Sequence, residues 1–445
     1  MKARICLTGT ALLSVVLTAS CSASKSGGGG GGGSGPTATI DWNDTYQVID
    51  GFGASDADGP TMSSADADLF FSTSSGVGLS LLRTQIPVED DSCTSVNATC
   101  AGDIGNMALA TARGAHIWST AWSPPASMKS NGSTACSPGN GTLNTASYGA
   151  YATYLSNYIA SVRAQGFTLQ GISIQNEPDY CPTYDGALMS AAQFDTFIKG
   201  YLGPTLAEAG QKSVQVIMPE TSRWGDLPSY TTTTLQDTSA APYVGIVASH
   251  DYDDFDCAGD PSGCVYATAQ NMGKHLWETE ISESSSCDTS ITDALSWAEE
   301  MHNWMTIANA NAWNYWWLID YNNSGDNEGL ICSNGTVRKA LYAMGNWSKF
   351  VRPGWVRIEA MANPTTDFYV GAFKDPSTNS FAIVAINANS SATEVNFSLS
   401  GFPSVTSVTP TVTSASDNLA DQARIGVSGG AFSYSLPATS VVTFH

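Results

Sequence analysis

Eight short, apolar, strand-like segments alternate with helical patterns over most of this chain, and this alternation limits the possible fold more than any other feature. The helical patterns include residues 148–165 and 192–209, where apolar residues recur every three or four positions. Eight alternations of strand and helix predict a closed (β/α)₈ TIM barrel of parallel strands, which takes about 250 residues. The strand-like segments are residues 48–52, 79–86, 116–122, 169–175, 214–218, 244–250, 275–280 and 312–319.

Beyond Pro353 the pattern changes to short alternating segments separated by Ser, Thr, Asn and Gly turns, and no helical period remains. Such segments predict an antiparallel β-sandwich. Residues 37–48 alternate in the same way ahead of the barrel. We therefore expect a (β/α)₈ barrel over residues 49–353 with an appended antiparallel β-sandwich side domain over residues 354–445. The clearest strands of this side domain are residues 368–373, 381–386, 393–399 and 441–444.

Two of the barrel segments lead into a glutamate. One runs through Asn176 into Glu177, and another ends at Glu280. Active sites of such barrels lie at the carboxyl ends of the strands, so both glutamates are candidate catalytic groups. Glu278 competes with Glu280, because residues two apart in a strand point to the same side. A carboxyl pair suits glycoside hydrolysis, in which one group protonates the leaving oxygen and the other attacks the sugar.

Six motifs stand in order along the chain. They are Ile-Asp-Gly-Phe-Gly at 49–53, Ser-Leu-Leu-Arg at 80–83, Trp-Ser-Pro-Pro-Ala-Ser-Met at 122–128, Ile-Gln-Asn-Glu-Pro-Asp-Tyr at 174–180, Trp-Glu-Thr-Glu at 277–280 and Trp-Ser-Lys-Phe-Val-Arg-Pro-Gly at 347–354. Together they resemble glycoside hydrolase family 30, most closely its bacterial xylanase branch. The resemblance implies a retaining enzyme with a barrel and a side sandwich, in which strand 37–48 pairs with the carboxyl-terminal sheet.

The resemblance also implies roles for single residues. Glu177 is expected to be the acid/base and Glu280, rather than Glu278, the nucleophile, with their carboxyls about 5–5.5 Å apart. Arg83 is expected to hold Glu280 ionised, and Asn176 to bond the 2-hydroxyl of the sugar. A structural ion pair for Arg83 and simple packing for the histidine at position 250 remain alternative interpretations. The further substrate-binding residues implied are Trp122, His250, Tyr252 and Trp316.

The residues after the eighth strand depart from the family pattern. Members that require a glucuronic acid branch on xylan carry arginines there, whereas this chain has Asp320 and Tyr321, followed by the loop 322–329. We therefore expect cleavage of β-1,4-xylosidic bonds in neutral or arabinose-decorated xylan, or in xylo-oligosaccharides, without dependence on glucuronate. Endo and exo cleavage both stay open: exo cleavage is expected if this loop, together with Cys287 and Cys332, blocks one end of the cleft.

Two other functions stay open from the sequence. A β-1,6-glucanase or β-1,6-galactanase of the same family would use the same barrel chemistry. A non-catalytic polysaccharide-binding lipoprotein belongs to another class, but it would not be expected to retain both carboxylates. The formal net charge of −22 disfavours nucleic acid and polyanions as partners, while a neutral polysaccharide is indifferent to it. We expect a monomer with no cofactor, and no metal site, because the five histidines are dispersed.

The amino terminus has the composition of an export signal. In residues 1–20, Lys2 and Arg4 precede an apolar stretch too short to span a membrane as a helix. Cys21 stands at a lipoprotein-like processing site, so both lipid anchoring through Cys21 and simple secretion stay open. Residues 21–36, with seven successive glycines, predict a flexible tether. The mature protein is expected to be secreted, or anchored as a lipoprotein facing the cell exterior or periplasm.

Cysteine usage agrees with export. Apart from Cys6 and Cys21 the chain has eight cysteines, an even number that suits an oxidising compartment. The sequence does not determine how they pair. The expected pairs are Cys93 with Cys100 and Cys257 with Cys264, each closing a short loop, and Cys136 with Cys181 and Cys287 with Cys332, each joining neighbouring loops at the barrel mouth.

Overall fold

A computed structural model describes residues 35–93, 100–252, 261–322 and 326–445 of the protein. The predicted export signal, Cys21, most of the tether and Cys257 lie outside these described residues. The first twelve strands in chain order are β1 Thr37–Val48, β2 Gly51–Ser55, β3 Leu81–Ile86, β4 His116–Ala121, β5 Leu169–Ser173, β6 Gln215–Thr221, β7 Val244–Ser249, β8 His275–Glu278, β9 Glu283–Ser286, β10 Ala312–Ile319, β11 Asp326–Asn327 and β12 Gly329–Ile331.

Eight of the described strands form a closed parallel barrel, which confirms the predicted fold class. Strands β2 to β8 pair in chain order, and β10 closes the ring by pairing with both β8 and β2. The interior is filled by buried side chains that include Leu81, Trp118, Ile217 and Trp277. The mouth of the barrel therefore has a packed floor, on which polar side chains at the carboxyl ends of the strands can be held rigidly.

Several barrel strands begin or end at other residues than the sequence predicted. β2 begins at Gly51, because Val48 ends β1. β5 and β8 end before Glu177 and Glu280, so both glutamates lie on loops rather than on strand ends. The reason at Glu177 is that its N–H donates to the carbonyl of Glu220 and its φ is +46°, which turns the chain out of the ladder. β6 in turn runs past its predicted end and includes Glu220.

Helices alternate with the barrel strands, as the sequence predicted. Serine caps start three of them: Ser63, Ser190 and Ser290 each accept a backbone N–H of the first turn. None of the described helices is long and apolar enough to cross a membrane. The helices are α1 Ser64–Phe71, α2 Ala101–Thr111, α3 Tyr148–Ala164, α4 Ala191–Phe197, α5 Gly203–Glu208, α6 Leu227–Gln236, α7 Pro261–Cys264, α8 Ala267–Asn271, α9 Ile291–Thr306 and α10 Lys339–Ser348.

The remaining strands form the predicted side domain together with β1. In its nine-stranded sheet β1 lies between β13 and β16, antiparallel to the first and parallel to the second. The sheet folds into two layers, since Phe397 of β16 and Phe444 of β22 pack with ring centroids 4.8 Å apart although several strands separate them. The strands are β13 Val356–Ala360, β14 Phe368–Lys374, β15 Phe381–Asn387, β16 Thr393–Ser400, β17 Ser407–Val408, β18 Pro410–Thr413, β19 Ala420–Asp421, β20 Ile425–Gly426, β21 Ala431–Leu436 and β22 Ser440–Phe444.

Helices α9 and α10 fix the sandwich to the flank of the barrel. The fully buried amide of Asn346 on α10 donates to Thr413 Oγ1 at 2.7 Å, and its backbone carbonyl accepts from Thr443 Oγ1 at 2.6 Å. On α9, the ring of His302 packs on Tyr369 of the sandwich, with centroids 5.5 Å apart. Because buried hydrogen bonds and ring contacts are shared across the junction, the two domains form one packed body.

Three disulfides lie in the loops after the barrel strands. Each joins a pair that the sequence analysis expected, and together they confirm those three pairings. The fourth expected pair includes Cys257, which lies outside the described residues. The bonds are Cys93–Cys100 after β3, Cys136–Cys181 between the loops after β4 and β5, and Cys287–Cys332 between the loops after β8 and β10.

Candidate active site

The carboxyl ends of the barrel strands open into a cleft of about 860 Å³. This volume lies within the range of roughly 300–1,000 Å³ that small-ligand sites occupy. Glu177 and Glu280 lie at its floor, with 9% and 6% of their surface exposed. Polar and aromatic side chains share the lining, as expected for a site that binds sugars. The lining includes Trp122, Asn176, Glu177, Tyr180, Tyr184, Arg223, Tyr252, Glu280 and Trp316.

Arg83, fully buried on β3, connects the ends of several strands. Its Nη1 donates to Glu280, and its Nη2 donates to Asn176 Oδ1 at 2.7 Å and to Glu220 Oε1 at 2.8 Å. Burial alone would lower the pKa of this guanidinium, but the charges of Glu220 and Glu280 outweigh burial and raise it. Arg83 therefore stays charged and fixes two carboxylates and one amide by charge-assisted hydrogen bonds.

Glu177 and Glu280 face each other across the floor of the cleft. An oxygen of each carboxylate and one nitrogen of His250 lie within 4.8 Å of one another. Glu280 Oε1 accepts a hydrogen bond from the Tyr252 hydroxyl at 3.0 Å, and Oε2 accepts from Arg83. Retaining glycosidases have carboxyls about 5–5.5 Å apart and inverting ones about 6.5–9.5 Å apart. The spacing of the pair is therefore closer to that of retaining enzymes, in which one carboxylate attacks the sugar directly.

His250 lies fully buried beneath this pair. Its Nδ1 is 3.3 Å from Glu177, and its Nε2 is 3.5 Å from Glu220 and 3.6 Å from Glu280. Burial alone would lower the pKa of the imidazole, but the charge of Glu280 and the contacts with Glu177 and Glu220 outweigh it and raise the pKa to about 10. In its protonated form this imidazole is a donor at both nitrogens and offers no lone pair to a metal ion.

Glu220 is a third glutamate of the site, and the sequence analysis missed it. It follows Pro219 near the end of β6, is fully buried and has a φ of +62°. Burial would raise the pKa of its carboxyl, but the charge of Arg83 and the contact with His250 outweigh burial and lower it. Thr120 also donates to it, at 3.2 Å. The available signal was a glutamate at the end of a third barrel strand.

Glu278, the competitor for the nucleophile position, is placed differently. It ends β8 with a fully buried side chain that is not among the residues lining the cleft. Its two oxygens accept the N–H of Glu280 at 2.8 Å and the N–H of Asn314 at 3.1 Å. Burial, and then the charge of Glu300, raise the pKa of Glu278 well above its usual range. Glu278 thus shapes the turn that presents Glu280 to the cleft.

Aromatic side chains form the walls of the cleft. Trp122 and Trp316 lie with ring centroids 5.9 Å apart, and the Arg83 guanidinium is 4.6 Å from the Trp122 ring. Two further aromatics that the sequence analysis did not select, Tyr180 and Tyr184, are 50% and 56% exposed. Exposed rings beside a sugar cleft can stack on the apolar faces of pyranoses. The signal for Tyr180 was its place in the motif at 174–180, and for Tyr184 its nearness in sequence to Glu177.

The loop that carries these two tyrosines is held from below. Cys181 ties it to the loop after β4 through the disulfide with Cys136. The buried ammonium of Lys129 donates to the carbonyls of Thr134 at 2.7 Å and Gly186 at 2.6 Å, so it also joins both loops. Burial lowers the pKa of Lys129 to about 8. The rim of the cleft is thus fixed to the barrel rather than being a free flap.

Comparisons with known proteins agree with this geometry. Residues 103–329 match the family model for the glycosyl hydrolase family 30 TIM-barrel domain, and residues 354–444 match the one for the family 30 β-sandwich domain. Over 419 residues the chain is 30% identical to the glucuronoxylanase XynC of Bacillus subtilis (strain 168), which covers 91% of this chain and 90% of that protein.

Two solved structures of similar length resemble the whole described body. The glycoside hydrolase family 30 subfamily 8 xylanase Xyn30A from Clostridium acetobutylicum is 34% identical with a TM-score of 0.80, covering 92% of this chain and 98% of its own. A family 30 endoxylanase from Clostridium papyrosolvens C71 is 31% identical with a TM-score of 0.78, covering 92% and 99%. The similarity therefore extends over both domains.

Proposed function

The chain belongs to glycoside hydrolase family 30, and on this premise we propose that it cleaves β-1,4-xylosidic bonds in xylan with retention of configuration and without depending on glucuronic acid branches. The observation that carries the proposal is the close approach of Glu177 and Glu280 beside the charge of Arg83. The xylanases named above, which match over both domains, support xylan as the substrate.

The first step is the attack of Glu280 on the anomeric carbon. Arg83 and Tyr252 hold one oxygen each of this carboxylate, which fixes its direction without a cost at the moment of reaction. As the new carbon–oxygen bond forms, the bond to the leaving glycosidic oxygen breaks, and Glu177 gives that oxygen its proton. The product is a covalent glycosyl-enzyme, with the configuration at the anomeric carbon inverted once.

The second step reverses these roles. After the leaving sugar departs, a water molecule enters beside Glu177, which is now a carboxylate and removes the proton of the water. The oxygen of the water attacks the anomeric carbon and releases Glu280, so the second inversion restores the original configuration. The imidazole of His250, with Nδ1 3.3 Å from Glu177, holds this side chain in place during both steps.

Asn176 orients the sugar during both steps. Its Oδ1 accepts from Arg83 at 2.7 Å, and this bond leaves the amide nitrogen to face the cleft. A donor in that position can bond the 2-hydroxyl next to the anomeric carbon, a contact that strengthens as positive charge develops in the transition state. Trp122 and Trp316 supply the neighbouring apolar walls.

The charges around the cleft support independence from glucuronate. Of the described residues that line it, Arg223 alone is cationic, whereas Asp58, Asp185 and Glu328 are acidic. After the eighth barrel strand Asp320 is buried, and Tyr321 packs so closely on Gly59 that a Cβ there would lie 2.5 Å from its ring. No guanidinium fork stands at this described position to pair with a uronate carboxylate.

Product analysis on four substrates tests the proposal. The wild-type protein is incubated in parallel with glucuronoxylan, arabinoxylan, linear xylan and β-1,6-glucan. We expect release of xylo-oligosaccharides from all three xylans, with no advantage for glucuronoxylan. Mixed product lengths would indicate endo cleavage and xylobiose alone exo cleavage. A rate on glucuronoxylan far above the other xylans would overturn the independence from glucuronate, and activity on β-1,6-glucan alone would overturn the choice of sugar.

A further inference from the structure

A second cavity, of about 550 Å³, adjoins the cleft. Three residues line both spaces: Asp58 in the loop after β2, Gln85 on β3 and Asp185 in the loop after β5. These side chains therefore form the boundary through which the two spaces meet. The outer rim of the second cavity is formed by Ala101, the first residue of α2, and by Val88.

The position of Gln85 shows where this cavity meets the cleft. Gln85 lies two residues after Arg83 on β3, so both side chains point to the same side of the strand. Arg83 bonds the nucleophile candidate Glu280, over which the attacked sugar must sit. The cavity accordingly opens onto the same cleft as the carboxyl pair.

The walls of the cavity are preformed by close backbone contacts. A Cβ on Gly102 would lie 2.5 Å from the carbonyl oxygen of Gly59, and Tyr321 packs on the other side of Gly59. Asp58 beside it has a φ of +61°, and Gly59 donates its N–H to the Asp56 carbonyl at 2.9 Å. A non-glycine residue keeps a left-handed conformation only where its surroundings determine it. The cavity therefore needs no rearrangement to admit a ligand.

The polar groups in the cavity suit a neutral, hydroxyl-rich ligand. Asp58, Thr61, Gln85, Asp103 and Asp185 offer hydrogen-bond acceptors, and none of the described lining residues is a lysine or arginine. Burial, and then the charge of Asp56, raise the pKa of the deep Asp103 well above its usual range, so this carboxyl can also donate. A uronate would meet acidic groups and no cationic lining residue, whereas sugar hydroxyls can pair with the acidic groups.

We propose that this cavity, the branch pocket, binds a neutral arabinofuranosyl branch of the xylan chain bound in the cleft. The inference rests on the proposed xylanase function and adds a decoration that the enzyme recognises. An arabinofuranosyl unit carries no charge and has several hydroxyls to pair with the acceptors of the branch pocket. Its attachment to a backbone xylose allows it to leave the cleft sideways between Gln85 and the two aspartates.

The test compares kcat/KM for linear xylohexaose with kcat/KM for the same oligosaccharide carrying one arabinofuranosyl branch. We expect wild type to favour the branched substrate by about 5- to 10-fold, the gain from one or two net hydrogen bonds. Ala101→Tyr places a ring at the exposed rim of the branch pocket and should reduce the ratio to about one. Ala108→Tyr, an exposed site on the same helix that does not line the pocket, should keep the wild-type ratio.

The outcomes separate this inference from the proposed function. Hydrolysis of linear xylohexaose with no gain from the branch would overturn the branch pocket and leave the xylanase function standing. Hydrolysis of neither substrate would overturn both. Retention of the preference in Ala101→Tyr would also overturn the branch pocket. If Ala101→Tyr does not fold, Val88→Trp fills the same space from the loop after β3 and is expected to remove the preference equally.

Discussion

Two histidines of this protein are both fully buried, yet their surroundings shift their pKa values in opposite directions. At the barrel mouth, His250 is surrounded by Glu177, Glu220 and Glu280, and its pKa rises to about 10. At the flank that contacts the sandwich, burial and then the charge of Arg357 lower the pKa of His302 to about 3. Burial disfavours the charged form in both places, so the difference comes from the neighbouring charges.

The two regions serve different tasks, chemistry at the mouth and packing at the flank. At the mouth, carboxylates surround buried cations. Removing these charges from water costs free energy, so we attribute the arrangement to catalysis rather than to stability. The flank and the sandwich bury aromatic and aliphatic groups, and there a neutral His302 behaves like any packed ring against Tyr369. We therefore expect substitutions at the mouth to change activity far more than stability, and the reverse at the flank.

The largest effect is expected for Glu280→Gln, which removes the proposed nucleophile and keeps its shape. Hydrolysis of xylan should fall by about 10⁴-fold or more. Because the amide relieves the crowding of carboxylates at the mouth, thermal stability should stay equal or rise. Glu394→Gln, on an exposed position of the sandwich, is the matched control and should change neither quantity. A Glu280→Gln variant that retains most of its activity would show that the nucleophile lies elsewhere.

The next largest effect is expected for Glu177→Gln, which removes the proton donor. Rates on xylan should fall by about 10²- to 10⁴-fold. Aryl xylobiosides with acidic phenol leaving groups need little protonation, so their first step should be nearly unaffected. Burst kinetics would then reveal accumulation of the glycosyl-enzyme. An equal loss on xylan and on aryl xylobiosides would contradict the acid/base role, because a general structural defect treats all leaving groups alike.

A smaller effect is expected for Glu220→Gln, which weakens the hold on Arg83 without touching the sugar. Misplacement of Arg83 should lower kcat by about 10- to 100-fold with little change in KM. The matched flank substitution is Glu299→Gln, which only loses a long contact with the Tyr369 hydroxyl. Steady-state kinetics of both variants measure these changes in kcat and KM. A change in KM alone after Glu220→Gln would mean that Glu220 contacts substrate rather than Arg83.

The smallest effect is the dependence of stability on pH, and it has opposite signs in the two regions. Native His250 keeps a proton that the unfolded chain releases above about pH 6.5, so its contribution is lost as pH rises towards 10. Native His302 lacks a proton that the unfolded chain binds below that pH, so stability falls as pH drops towards 3.

Thermal melts of His250→Gln and His302→Gln across pH 3 to 10 measure these two contributions. The difference between wild type and His250→Gln should shrink from neutral to alkaline pH, and the difference between wild type and His302→Gln should shrink from neutral to acidic pH. Parallel curves for wild type and either variant would mean that the histidine concerned does not change its proton on unfolding.

The local sequence predicted much of this architecture, but not which charged side chains come together at the barrel mouth. Periodicity placed the barrel strands within a few residues, and the cysteine positions indicated three disulfides that the structure contains. The structure also brings the expected neighbours of Glu280 to one floor, although their chemical roles stay predictions. Glu220 was missed because its importance comes from contacts with Arg83 and His250, which lie far away in sequence. A sequence pattern describes one strand at a time, whereas a charge cluster forms only where several strand ends meet.

The strand bounds were missed for a related reason. The pattern through Gln175 predicts an unbroken strand, but β5 ends at Ser173. It ends there because the backbone N–H groups of Asn176 and Glu177 donate to Ala121 and Glu220 of the neighbouring strands. Nothing in the residue type of Glu177 predicts its positive φ. Positions such as this one, where local preference and final conformation disagree, coincide here with the floor of the cleft.

The place of β1 in the sandwich has a consequence for the order in which the protein can be made. Ribosomes release the amino terminus first, yet β1 lies between β13 and β16, and its Tyr46 bonds to Glu359, 313 residues later. Barrel strands find most of their partners soon after emerging, whereas β1 must wait unpaired until almost the whole chain has been synthesised. The side sheet therefore closes late in synthesis, and a chain that ended before β13 would leave β1 without neighbours.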